Sequence, residues 1–247
     1  MGSTHFVSLS NIQDGVAVTM YYDPNLSEAS ANAQAGLQMA MDSVRIYDGT
    51  FGQYPFAELD FVQTPTTAGG IEYPGLIVVA ESAWDRNDEF FEFVIVHEAA
   101  HQWWYSLVGN DQTLDPWMDE ALAQYSTAIY IGAQEGNNGY DSAISSFDQL
   151  YQDYVAQHGD QVIGLPASDY PDDAAYFYLV YQKGPAFFGA LATEYGYDTV
   201  QVMLRAYFEQ YRYKIAEPED MLDCFETTSG LDLNPIFDEW VGPMPVG

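Results

Sequence analysis

The chain has 247 residues, 48% of them hydrophobic, with 20 Tyr, 14 Phe and 5 Trp, enough apolar mass to bury the core of one large domain or two lobes. Its 37 Asp and Glu face only six Lys and Arg, and a formal net charge of −31 argues against nucleic acid or anionic membrane as partners. The single Cys224 excludes an internal disulfide and a Cys-based metal site, and no apolar run nears the roughly 18 residues that span a bilayer. Such a surface suits a saline, extracellular or cell-envelope setting, and it would attract a cationic substrate amine.

Residues 1–4, Met1-Gly2-Ser3-Thr4, read as an initiator plus cloning remnant, which leaves 5–247 as one folding unit. The β-formers of 16–22 predict a strand, and 27–48 a helix in which Leu37, Met41 and Val44 recur at three- and four-residue steps. Alternation over 58–64 and the apolar run 76–80 predict two more strands, with Gly69-Gly70 marking the turn between them. From Asn87 onward strand signals disappear. Asn87 caps a helix that carries Asp88 and Glu89 in its first turn and runs to Gly109. Asp115-Pro116 opens the next, to about residue 131, and further helices are predicted at 140–157, 174–195, 199–213, 218–228 and 235–240. The pattern is α+β: a mixed-sheet lobe over about 5–108 and an all-helical lobe over about 109–247, with no proline- or glycine-rich linker between.

The helix around residue 97 is apolar on nearly every side yet carries His97, Glu98 and His101 in its middle, and buried ionisable groups need partners. Four-residue spacing projects both imidazoles from one face, where their nitrogens can reach one ion. Glu98 lies about 100° further round the helix, better placed to touch a water on that ion than to ligate it. Catalytic zinc takes three protein ligands and an open fourth position, and Glu120, in the first turn of the helix after Asp115-Pro116, is the candidate third. Acidic residues are also favoured at helix N-termini by the macrodipole alone; Asp119 fits that explanation better, and it equally suits a partner that holds a ligand imidazole.

Taken together, Val96-His97-Glu98-Ala99-Ala100-His101-Gln102-Trp103-Trp104, Val108-Gly109-Asn110-Asp111, Pro116-Trp117-Met118-Asp119-Glu120-Ala121-Leu122-Ala123, the upstream Gly69-Gly70-Ile71-Glu72-Tyr73-Pro74-Gly75 and the downstream Tyr181-Gln182-Lys183-Gly184 resemble the aminopeptidase-N-like (membrane alanyl aminopeptidase) metallopeptidases of the gluzincin group. The resemblance implies a thermolysin-like two-lobed catalytic domain that uses one catalytic Zn²⁺ held by His97, His101 and Glu120. It implies Glu98 as general base, Tyr181 as the hydroxyl that supports the oxyanion, and Glu72 as the acid that recognises the free α-amine of a peptide substrate. Gly69 and Gly70, with the strand near Leu76, are expected to align the peptide backbone by strand addition.

The chain departs from the family pattern at three places. Ile71 replaces a Met, and Tyr73-Pro74 follows Glu72 where Asn is commonest. Pro185 stands where Ala usually follows Lys-Gly; proline cannot donate to the carbonyl of Tyr181, so the helix is expected to kink or restart beside the hydroxyl. The family's flanking β-sandwich and helical domains are expected to be missing from this stretch of sequence, and without them an amine pocket built on Glu72 alone is expected to discriminate less strictly against N-blocked or longer peptides. An aminopeptidase is the leading expectation, beside an endopeptidase or oligopeptidase with the same zinc centre and, from another class, a peptide-binding scaffold with vestigial catalysis. No membrane contact by this domain is expected.

Overall fold

The computed structural model describes residues 5–26, 28–84 and 89–243. The expected cloning remnant at 1–4, the helix start at Ser27 and the cap and first-turn acid at Asn87 and Asp88 lie outside the described residues. The chain forms two compact units, one made of residues up to 49 with 53–102, the other of 50–52 with 103–247.

The first unit is built on a five-stranded mixed sheet in the order β1-β2-β3-β5-β4. Strands β1 (Val7–Gln13) and β2 (Val16–Tyr22) form an antiparallel hairpin over Asp14-Gly15, whose φ angles of 51° and 90° suit the left-handed turn that an Asp-Gly pair favours. Alternation had not revealed β1, because this edge strand is exposed along most of its length. In β2 the pattern is plain, with Val16, Val18, Met20 and Tyr22 buried.

Helix α1 (Ala29–Thr50) then leads to β3 (Glu58–Thr64), which pairs parallel to β2. The hairpin of β4 (Gly70–Tyr73) and β5 (Leu76–Ala80) adds β5 parallel to β3, with β4 antiparallel at the outer edge. The turn falls at Pro74-Gly75, where Gly75 has φ +72°, so the expected turn at Gly69-Gly70 is corrected: Gly70 begins a strand. After the short α2 (Glu81–Trp84) comes α3 (Glu89–Ala100). Helices α1 and α3 approach closely through Gly36, where a Cβ would sit 2.9 Å from the Phe91 ring, and the Tyr47 hydroxyl donates to the Val96 carbonyl at 3.2 Å.

The helix expected to reach Gly109 stops at Ala100 instead. Residues 101–107 turn through Tyr105 at φ 121° into β6 (Val108–Gly109), which pairs parallel with β7 (Lys214–Ile215), two short strands that hydropathy had not signalled. Leaving the helix sends two adjacent indoles to separate acceptors in the second unit: Trp103 Nε1 donates to the Gly52 carbonyl at 2.7 Å and Trp104 Nε1 to Ser126 Oγ at 3.0 Å. Both side chains are buried, and a buried indole N–H left without an acceptor is costly.

Otherwise the second unit is helical: α4 (Trp117–Glu135), α5 (Asn137–His158), α6 (Asp173–Tyr178), α7 (Gly184–Tyr195), α8 (Tyr197–Tyr211), α9 (Pro218–Ser229) and α10 (Asn234–Trp240). The single helix expected over 174–195 is three pieces, because Leu179–Lys183 between α6 and α7 is a π turn and Pro185 sits at the start of α7. A restart beside Pro185 was expected, and the wider π winding is the form it takes. No described helix is long and apolar enough to cross a membrane.

Candidate metal centre and active site

Helix α3 holds the paired imidazoles in an apolar wall. Phe91, Val94, Ile95, Val96, Ala99 and Ala100 are buried around His97 and Glu98, which are themselves 6% and 7% exposed. His101, 1% exposed, lies one residue past the last helical position but keeps the helical spacing, its N–H donating to the His97 carbonyl at 3.4 Å. The His97 and His101 Nε2 atoms lie 3.1 Å apart, with the two rings edge to face and Phe93 stacked on His97.

The Glu98 side chain runs against β4. A Cβ on Gly70 would overlap the Glu98 carboxylate, so the glycine is there for close approach and not for a turn. Gln102, fully buried, ties the β4–β5 turn to the same segment: its Oε1 accepts from the Gly75 N–H at 2.8 Å and its Nε2 donates to the Tyr73 carbonyl at 3.4 Å. This fixes the strand that carries Gly70 and Glu72 relative to the residue next to His101. Glu72 is half-buried on β4, opposite Ile77 in the register, and Gly69 accepts from the Ala80 N–H at 3.0 Å.

In the second unit, α4 presents Asp119 and Glu120 in its first turn. Asp119, 1% exposed, accepts from Asn110 Nδ2 at 3.0 Å and Gln112 Nε2 at 2.8 Å, and Asn110 also donates to the Asp115 carbonyl at 3.0 Å. The loop before α4 is thereby sewn to its first turn. Glu120 accepts a hydrogen bond from the Tyr181 hydroxyl. Burial, and after it the Glu120 carboxylate, push the ionisation of Tyr181 far above the ordinary tyrosine range, so the phenol stays a proton donor. Below it, the nearly buried Lys183 donates to Asp160 Oδ1 and the Gln161 carbonyl, both at 2.7 Å, and lies over the Tyr151 and Trp240 rings. His97, His101 and Glu120 each offer a ligand atom, all within 4.8 Å of one another.

The sequence matches the Peptidase family M1 domain over residues 36–240. The chain belongs to peptidase family M1. Among its M1 relatives, Aminopeptidase M1-B of Oryza sativa subsp. japonica is 27% identical over 240 residues, 92% of this chain and 27% of the relative. Aminopeptidase N of Streptomyces lividans is 26% identical over 257 residues, 98% of this chain and 30% of the relative. A crystal structure of a mutant M1 zinc metallopeptidase from Deinococcus radiodurans shares the fold, with a TM-score of 0.74 at 16% identity over 98% of this chain and 53% of that one. The chain thus spans under a third of the length of these curated M1 relatives.

The donor set fits the zinc of this M1 family. Two nitrogens each about 2.0–2.1 Å from a tetrahedral ion stand roughly 3.3 Å apart, close to the observed imidazole spacing, and a carboxylate completes a two-His, one-Glu set. Two ring nitrogens held this close in an apolar setting need a shared proton or a cation between their lone pairs. Sequence reasoning assigned no role to Gln102, Asn110, Gln112 or Gln124. For Gln102 and Gln124 the signal is burial of an amide whose partners lie 27 and 57 positions away, and for Asn110 and Gln112 it is their shared bond to Asp119; no local spacing carries either.

Proposed function

We propose that this chain is the thermolysin-like catalytic domain of a zinc metallopeptidase, with 5–108 and 109–247 as its α/β and helical lobes, acting as an aminopeptidase on peptides with a free N-terminal amine. The observation that carries this reading is the grouping of His97, His101 and Glu120 ligand atoms within 4.8 Å in a member of peptidase family M1. A zinc ion held there supplies a Lewis acid for the scissile carbonyl and makes a water acidic enough to give up its proton near neutral pH.

The chain's own residues do the rest. Glu98, next to His97 and pressed against Gly70, accepts the water proton and passes it to the leaving nitrogen. The Tyr181 hydroxyl donates to the oxygen that gains negative charge as the carbonyl becomes tetrahedral; a donor of this kind is worth about 2.7–4 kcal/mol. Asp119 is read as support for a ligand imidazole. The β4 edge, with Gly69 and Gly70, aligns the substrate backbone by strand addition, and the Glu72 carboxylate takes the α-ammonium group.

A free-amine aminoacyl reporter and its N-acetylated twin test the assignment on zinc-loaded protein. Cleavage of the first should exceed that of the second by on the order of 100-fold, the scale of a lost charge-assisted amine contact. Comparable cleavage of both would replace the aminopeptidase with an endopeptidase or oligopeptidase. Silence toward both in zinc-loaded protein would leave a peptide-binding scaffold.

A further inference from the structure

Tyr181 is delivered by a stretch of chain that a regular α-helix would not form. Pro185 has no N–H, so it cannot supply the donor that an α-helix would offer the Tyr181 carbonyl from four residues on. The winding widens here: the Gly184 N–H donates to the Leu179 carbonyl five residues back, as in a π turn. A side chain from α4 meets the Tyr181 carbonyl, with Gln124 Nε2 donating to it at 2.9 Å. Gln124 is 2% exposed and stands one helical turn after Glu120, on the same face of α4. That face therefore holds Tyr181 at both ends, Glu120 accepting a hydrogen bond from the hydroxyl and Gln124 donating one to the backbone oxygen. The two helices come this close because Gly184 lies against Ala121, where a Cβ on the glycine would overlap the alanine methyl.

We propose that Gln124 is a positioning residue for Tyr181: its side-chain amide stands in for the backbone N–H that Pro185 lacks and so fixes where the hydroxyl points. The inference rests on the reading of Tyr181 as the oxyanion donor. It makes residues 124 and 185 interdependent. An amide at position 185 should make the Gln124 side chain dispensable, which a mere packing role would not.

The test compares Tyr181→Phe, Gln124→Met, Pro185→Ala and the Gln124→Met/Pro185→Ala pair in the full zinc-loaded chain, by kcat and KM on the aminoacyl reporter and by melting temperature. Tyr181→Phe should lower kcat by about 10²–10³-fold. Gln124→Met should lower kcat by about 10-fold with KM within about 2-fold, the signature of a misdirected group that acts in the transition state. Adding Pro185→Ala should restore most of that lost kcat. Wild-type kcat in Gln124→Met beside an impaired Tyr181→Phe would overturn the inference and leave the tyrosine its role. Wild-type kcat in Tyr181→Phe would overturn both. Should Gln124→Met not fold, the paired variant should recover both fold and turnover, and a pair that recovers neither overturns the inference as well.

Discussion

Helix α3, with His101 just past its end, supplies two ligands and the base of the proposed reaction, the α6–π–α7 segment supplies Tyr181, and the two do it by opposite means. Regular winding aligns His97 with His101, and the strand beside them makes room for Glu98 through the missing side chain at Gly70. Around Tyr181 the winding itself is broken, and the hydroxyl is aimed by a π turn, a proline and two side chains of α4. Regular geometry suits two like ligands that must stand a fixed distance apart, because the helix repeat sets that distance. A single donor that must point in one direction can be set by a local defect, provided neighbours hold the defect in place.

If the α3 side depends on close approach, a large effect should come from the smallest added group. Gly70→Ala puts a methyl where the Glu98 carboxylate lies, and the carboxylate must move. Turnover should fall by about 100-fold while melting temperature changes little, since the displaced atoms are the end of a side chain. Steady-state kinetics with thermal melting checks this; wild-type turnover would show that Glu98 has slack the structure does not suggest. On the α4 side the corresponding probe is the Gln124 and Pro185 cycle, with its expected effect of about 10-fold.

A still smaller effect is expected at the opening of α4. Asp115 is pushed up to about 6 by burial and by the carboxylates of Asp111, Glu219 and Glu217. A carboxyl whose pKa is higher in the folded chain than in the unfolded one binds its proton more tightly when folded, so it stabilises at acid pH and loses that contribution as pH rises from about 4 to 6. Asp115→Asn should therefore melt higher than the parent at pH 7.5, by no more than about 2 °C given partial solvent screening, and lose that advantage by pH 4. A gain that is the same at both pH values would assign the effect to something other than this charge.

How much of this was legible in the sequence follows the same division. The histidine pair, Glu98 and the strands Glu58–Thr64 and Leu76–Ala80 follow from periodicity, because local spacing alone fixes which face they occupy. Pro185 announced a break beside Tyr181, since the absence of a donor is a property of one residue. The form of the break was not legible, because the side chain that meets the Tyr181 carbonyl there is Gln124, 57 positions away along the chain. The exit of the chain from α3 after Ala100 was hidden for the same reason: acceptors for the Trp103 and Trp104 indoles lie at Gly52 and Ser126. Strand β1 escaped notice because, as an exposed edge, it has no apolar face to alternate; only the Asp14-Gly15 pair betrays the hairpin.

Metal analysis of the purified chain tests the central claim most directly. The parent and Glu98→Gln should each retain one zinc per chain, with Glu98→Gln all but inactive, while His101→Ala and Glu120→Ala lose the ion together with turnover. Full zinc occupancy in either ligand variant, or undiminished turnover in Glu98→Gln, would contradict the assignment of this centre.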